Sequence, residues 1–197
     1  RNPETNAPMQ EDSIFRIASM TKAVTGVAVM ILYEEGHFRL TDPISNYIPT
    51  FRNMEVVVED SEETAKEVKD TAPDYDEKWL KENWDTLTEE QQAQVIASYY
   101  KKNAAPEKAK TVPANRPITI RDLLRHTAGM YNNPPGIWEP GYDLGQMIDS
   151  LASKPLRTHP STEFEYGLSM DVLARLVEVV SGQSFDVFIK TRIFDPV

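Results

Sequence analysis

The sequence predicts a mostly helical chain, on three observations. Apolar residues recur at helical spacing in two long runs: Ala23, Val24, Val27, Ala28, Ile31 and Leu32, then Val172, Leu173, Leu176, Val177 and Val180. Helix-start signatures stand at Thr88-Glu-Glu-Gln91 and at Thr119 with Asp122, and glycines suited to a helix end follow the two runs at Gly36 and Gly182. Strand-like sequence is confined to short pieces such as Val56-Val-Val58.

In chain order, residues 1–12 are polar, carry Pro3 and Pro8, and read as a loop. A helix is expected from about Ser19 to Glu35, stopped by Gly36, which accepts a positive φ. Thr41-Asp-Pro43 makes a turn, and Ile44, Tyr47 and Ile48 form a short apolar face before Pro49. Composition shifts at about Met54. From Glu55 to Glu77 there are ten acidic and two basic residues, so this stretch reads as solvated. Helices are expected over 76–84 and 88–103, and loop character over 108–116. The whole of 55–115 behaves like an insertion. Regular structure resumes with helices over 120–125, near 142–152, from about Leu168 to Ser181, and over 185–192, the last capped by Ser184.

Bulk properties exclude several functions. The chain has 197 residues, 40% hydrophobic, which suits one domain with a real core. Net charge is −10 and the pI about 4.8, without the basic stripe that nucleic acid requires. No apolar run approaches the roughly 20 residues of a membrane span. There is no cysteine, so disulfides and thiolate metal sites are excluded. His37, His126 and His159 lie far apart without metal-ligand spacing. The first residues, Arg1-Asn-Pro-Glu4, contain neither an initiator Met nor a signal peptide, and Phe194-Asp-Pro-Val197 is followed by no tail. We expect the chain to belong inside a larger fold.

Ser19 and Lys22 carry the chemical signal. Three positions apart at a helix start, they stack on one face, where a hydroxyl and an amine form a nucleophile and its proton partner. Unpaired N–H groups and the helix dipole favour developing negative charge there. Burial of the following helix would desolvate Lys22 and lower its pKa. Spacing alone fits equally an N-cap serine beside a first-turn surface lysine, since chance yields about 0.6 Ser-x-x-Lys matches in such a chain. A second match, Ser98-Tyr-Tyr-Lys101, falls in mid-helix and reads as incidental.

The surrounding blocks distinguish the first match. Phe15-Arg-Ile-Ala-Ser-Met-Thr-Lys22, Met30-Ile-Leu-Tyr-Glu-Glu-Gly36, Leu40-Thr-Asp-Pro43 and Tyr47-Ile-Pro49 are followed in order by three more. These are Ile118-Thr-Ile-Arg-Asp-Leu-Leu-Arg-His-Thr-Ala-Gly-Met130, Phe164-Glu-Tyr166 and Leu173-Ala-Arg-Leu-Val-Glu-Val-Val-Ser-Gly182. Together they resemble the serine β-lactamase-like family: class C β-lactamases, the family VIII carboxylesterases related to them, and penicillin-binding proteins. The resemblance covers residues 1–53 and about 116–197. It implies the helical part of the β-lactamase/transpeptidase-like α/β fold, with most of the central antiparallel sheet missing. It also implies that Ser19 is the acylated nucleophile, Lys22 its immediate proton partner and Tyr166 the active-site tyrosine. A phenol beside an ammonium can have its pKa lowered enough to act as a base. Neither metal nor cofactor is implied.

Two departures from the family pattern bear on substrate. β-Lactamases of this type read Tyr-x-Asn, whereas here the run is Tyr166-Gly-Leu168, and leucine cannot supply an amide to a lactam side chain. That favours small esters over lactams. The family's third motif, Lys-Thr-Gly or a His/Trp-x-Gly version on an edge strand, is not found; Lys110-Thr-Val112 and Lys190-Thr-Arg192 lack its glycine. The resemblance therefore implies an incomplete oxyanion hole, inactivity of the 197 residues alone, and a missing remainder of the fold as partner. Trp138, Tyr131 and Leu168 are candidates to line the substrate site, with Tyr142 a further aromatic, although core packing accounts for such residues equally well. His126 invites a Ser-His-Asp reading, but no partner Asp is evident and the resemblance makes it a structural residue at a helix end.

The expected organisation is a nucleophile loop and helix over 1–53, an acidic helical insertion over 54–115, and a helical region carrying the tyrosine over 116–197. The expected activity is that of a serine hydrolase, a carboxylesterase acting on a small-molecule ester. The alternatives are a β-lactamase or D,D-peptidase, and a non-catalytic binding module on a hydrolase scaffold. The sequence does not fix the compartment; a soluble protein of the bacterial cytoplasm or periplasm is the expectation.

Overall fold

The computed structural model describes residues 8–11, 13–58, 79–80, 83–88, 90–92, 94–95, 109–132, 134, 136–137 and 140–196. A single 3₁₀ turn, Ala18–Met20, leads into helix α1, Thr21–Glu34. Two more 3₁₀ turns follow, Ile44–Asn46 and Pro49–Phe51. Strand β1, Glu55–Val57, pairs antiparallel with β2, Thr111–Pro113, with Val56 opposite Val112. Then come the short helix α2 (Ile120–Leu124), α3 (Leu144–Ala152), α4 (Ser169–Ser181) and α5 (Phe185–Ile189). A π turn, Lys190–Phe194, closes the chain. The helical expectation is met, and the one small sheet among the described residues is this two-stranded ribbon.

Helix α4 is the hub, packing against α1, α2, α3 and α5. Its inward face, Val172, Leu173, Leu176 and Val177, is fully buried, as the 3.6-residue spacing required. The opposing face of α1 contributes Ala28, Val29 and Leu32, and α5 contributes Phe188. Ile44, Phe51, Ile118, Ile120 and Leu123 extend the same core beneath the tyrosine-bearing segment. Gly182 ends α4 at φ 70, and Gly36 follows α1 at φ 82, both in the left-handed region that a Cβ disfavours.

Helix boundaries follow their caps. Thr119 and Asp122 form the expected capping box of α2. Helix α3 starts at Leu144 because Asp143 caps it: the Asp143 carboxylate accepts from the Gln146 N–H at 2.8 Å, and the Gln146 side chain accepts from the Asp143 N–H at 3.0 Å. Thr88 and Gln91 exchange the same reciprocal bonds, at 2.9 and 3.3 Å. The last helix is regular only to Ile189, short of the expected 192. There the Thr191 hydroxyl donates to the Val187 carbonyl at 2.9 Å, competing with the backbone ladder, and the turn widens so that the Asp195 N–H reaches the Lys190 carbonyl.

The stretch 108–116 differs from its expected loop character, because residues 111–113 form β2. Pro113 argues against a strand in isolation, and the strand exists through pairing with β1 across the sequence. The Val58 N–H donates to the Lys110 carbonyl at 2.9 Å, one step beyond the β1–β2 pairs. On its other edge β1 meets Leu156, whose N–H donates to the Glu55 carbonyl at 2.7 Å. The expected helices over 76–84 and 88–103 fall largely outside the described residues, and Ser98, Lys101 and most of the loop over 1–12 lie wholly outside them. A 3₁₀ turn, Trp84–Thr86, begins at the last residue of the first of these expected helices.

Candidate active site

Ser19 sits in the 3₁₀ turn at the mouth of α1, one residue before the N-cap position, Met20. The residue before it, Ala18, is held at φ 44. A left-handed alanine costs about 1 kcal/mol or more, a strain that recurs at functional turns. It turns the chain so that the Ser19 hydroxyl stands exposed at the helix start. Lys22 lies in the first turn of α1, and its Nζ donates to Ser19 Oγ at 3.4 Å. The Ser-x-x-Lys spacing therefore brings the two groups together as expected. The expected burial of Lys22 is not met: the helix buries Thr25, Ala28, Val29 and Leu32, while Lys22 at its open end stays half-exposed.

Tyr166 joins them from 147 residues away. Its hydroxyl donates to Ser19 Oγ at 2.9 Å, and Lys22 Nζ lies 4.7 Å from its ring centroid. Hydrogen bonding to Lys22 first, then to Ser19, holds the phenol below its ordinary value of 10, against a small opposing effect of burial. Tyr166 ends an irregular segment, Phe164-Glu165-Tyr166, held at Glu165, whose N–H donates to the His126 carbonyl at 2.8 Å and whose carboxylate faces Arg157 at 3.5 Å. Gly167 follows because the chain passes close to Asn132: a Cβ on Gly167 would stand 3.2 Å from Asn132 Cα. Leu168 then occupies the N-cap position of α4 and packs partly against the core. Tyr131 is buried beside Asn132. Trp138 lies outside the described residues.

On α4, Asp171 adds a carboxylate to the electrostatics of the site. Burial pushes it above the ordinary carboxylate range, opposed by its own backbone hydrogen bond and by the Lys22 charge. His126 is buried and held at φ 54, with its ring stacked on Tyr166 at 5.0 Å and 28°. Its role beside the tyrosine was missed in the sequence. The available signal was a histidine ending a helix, a residue type tolerant of left-handed backbone, and two aromatics two positions apart at Phe164 and Tyr166. A Ser-His-Asp arrangement is not formed. Asp122 turns away to receive both Arg116 Nη atoms at 2.8 Å. Among the described residues no group of three or more His, Asp or Glu is placed to hold a metal ion, and no helix is long and apolar enough to cross a membrane.

A helical body that presents serine, lysine and tyrosine at the mouth of its first long helix defines the class of the serine β-lactamase and penicillin-binding folds. The chain matches the family model described as beta-lactamase over residues 1–197, and it belongs to that family of serine hydrolases. It is 24% identical to Esterase EstB of Burkholderia gladioli over 98% of this chain, and 27% identical to Lovastatin esterase of Penicillium rubens over 96%. The chain spans 39% of the length of each of these curated relatives. Simvastatin synthase (LovD) from Aspergillus terreus superposes with a TM-score of 0.60, covering 100% of this chain and 40% of that one. At 22% identity the likeness is one of fold.

Proposed function

We propose that this chain carries the nucleophile side of a carboxylesterase site that works through an acyl-enzyme on Ser19. The observation that carries the reading is the convergence of Lys22 Nζ and the Tyr166 hydroxyl on one oxygen, Ser19 Oγ, at 3.4 and 2.9 Å. Ser19 Oγ attacks the ester carbonyl carbon. Tyr166 first gives its phenolic proton to solvent, the Lys22 charge stabilising the phenolate left behind, and the Ser19 proton then passes to that phenolate. Tyr166 then returns that proton to the departing alkoxide as the C–O bond breaks. Water enters on the acyl group and gives a proton to Tyr166; the acid leaves, and Ser19 recovers its proton. The start of α1 favours the negative charge that develops on the carbonyl oxygen.

Leucine rather than an amide at position 168 supports small esters over lactams, and the esterase relatives accord with that choice. Neither β1 nor β2 contributes a residue to the Ser19 cluster, so the second oxyanion donor is assigned to the part of the fold that these 197 residues do not span. The test is hydrolysis of a short p-nitrophenyl ester by the full-length protein. Ser19→Ala is expected to abolish turnover, and the 197-residue chain alone to show none. Unchanged hydrolysis by the Ser19→Ala protein would defeat the reading.

A further inference from the structure

We infer that His126 is a positioning residue for Tyr166, its imidazole serving as the wall that aims the phenol at Ser19. The inference rests on the acyl-enzyme reading above and adds to it a residue that takes no proton and touches no substrate.

Tyr166 needs such a wall. Tyr166 is 44% exposed, and it stands on a segment without regular secondary structure, not on a helix. An exposed phenol on such a segment has several rotamers open to it, and only some bring the hydroxyl to Ser19. The His126 ring lies nearly parallel to it, with centroids 5.0 Å apart, and meets Phe164 edge-on at 5.9 Å and 61°. The imidazole is therefore engaged by both aromatics of Phe164-Glu-Tyr166. The residue between them is tied to the same histidine, since the Glu165 N–H donates to the His126 carbonyl at 2.8 Å. Backbone and ring of one residue thus set both the path of the segment and the angle of the phenol.

The histidine itself is over-determined. It is 8% exposed and held at φ 54, where the capping box of α2 and the Thr127 N–H bond to the Asp122 carbonyl fix the turn. Its Nδ1 is buried without a hydrogen-bond partner, so the ring is not held there by polar bonding at that atom. What orients it is aromatic packing, which is directional and acts on the partner ring as well. Burial and the nearby Lys22 cation keep the imidazole neutral, so the stack adds no second positive charge beside the phenol.

A misplacement on the order of 1 Å can cost about 100-fold in rate. The test is a double-mutant cycle on ester hydrolysis in the full-length protein. His126→Asn keeps a residue tolerant of the left-handed turn and removes the aromatic face. It is expected to lower kcat about 10- to 100-fold with KM changed less than twofold, and His126→Phe to recover most of that loss. In a Tyr166→Phe background, which has no hydroxyl to aim, His126→Asn is expected to lower kcat less than twofold further. His126→Gly supplies the same comparison should the Asn protein not fold. The inference is overturned if loss of the ring leaves kcat within twofold of wild type, if the loss is equally large in the Tyr166→Phe background, or if Phe is no better than Asn. An intact kcat in His126→Asn beside a crippled Tyr166→Phe defeats this inference alone. An intact Tyr166→Phe removes Tyr166 from the proposed mechanism instead, and an intact Ser19→Ala defeats the acyl-enzyme reading itself.

Discussion

Replacing Tyr166 by Phe is expected to lower kcat for ester hydrolysis by about 10²- to 10⁴-fold, the range of a well-placed general base. That range corresponds to about 2.7–5.4 kcal/mol of transition-state stabilisation. The substitution removes one oxygen and leaves the ring, so the stack on His126 at 5.0 Å and the packing around it persist. The hydrogen bond to Ser19 Oγ and the phenol that Lys22 polarises are what disappear. KM should change little, because the phenol is assigned to proton transfer rather than to binding. Steady-state kinetics on one p-nitrophenyl ester checks this, and a kcat within threefold of wild type would remove Tyr166 from the mechanism.

The largest expected effect on stability belongs to Asp122. Its side chain is 4% exposed and gathers a dense set of donors: Arg116 through both Nη atoms at 2.8 Å, the Thr119 N–H at 2.9 Å and the Thr119 hydroxyl at 2.7 Å. Asp122→Ala breaks the pair with Arg116, uncaps α2 and leaves the Thr119 donors unpaired. The cost is about 2–3 kcal/mol, from the lost cap and the unpaired Thr119 donors, while Arg116, whose side chain is 36% exposed, is rehydrated. Urea denaturation of the two proteins measures it. Burial opposes ionisation of this carboxyl, but the Arg116 fork, the Thr119 hydroxyl and N–H, and the Arg116 charge together outweigh it, so the pKa lies below the ordinary 3.8. The sign follows from the lowered value. The stabilisation is full above the unfolded carboxylate pKa near 3.8 and is lost as pH falls through the folded one. Asp122→Asn should therefore flatten the acid limb of the stability curve below about pH 4. An unchanged limb would show that the pair does not hold the carboxylate ionised.

This stability has a functional consequence through connectivity. Asp122 fixes the start of α2, the Asp122 carbonyl accepts from Thr127, and the His126 carbonyl accepts from Glu165. The anchor of one short helix thus reaches Tyr166 in three steps. A variant weakened at Asp122 is expected to lose ester turnover before it loses helix content.

The site was legible in the sequence to different depths. The proximity of Ser19 and Lys22 was legible in their spacing, because one helical turn fixes it, but only the ordered blocks around them set this match apart from chance. Tyr166 was not visible in that way. Its contact with Ser19 spans 147 positions and depends on α4 packing against α1, so only the resemblance of several ordered blocks pointed to it. The stack of His126 on Tyr166 is likewise tertiary and left no periodic trace. Helices α1 and α4 were legible because apolar residues repeat with the helical period, although on α1 Ala23 and Val27 of the expected set are exposed while Thr25 and Val29 are buried, and their glycine stops were legible because left-handed backbone selects glycine. Strand β2 was hidden because it is only three residues long, includes Pro113, and forms by pairing with β1 more than fifty positions away. The expected desolvation of Lys22 failed for a simple reason: a helix buries its middle turns more readily than its open end, and Lys22 is in the first turn.

The most direct measurement of the central claim is covalent capture. The full-length protein would be quenched in acid during turnover of a slowly deacylating ester, weighed intact, and then digested and sequenced by mass spectrometry. The account predicts one acyl group per chain, carried on Ser19 and absent from the Ser19→Ala protein. An acyl group mapped to any other residue, or ester turnover at full rate with no acyl adduct on Ser19, would contradict it.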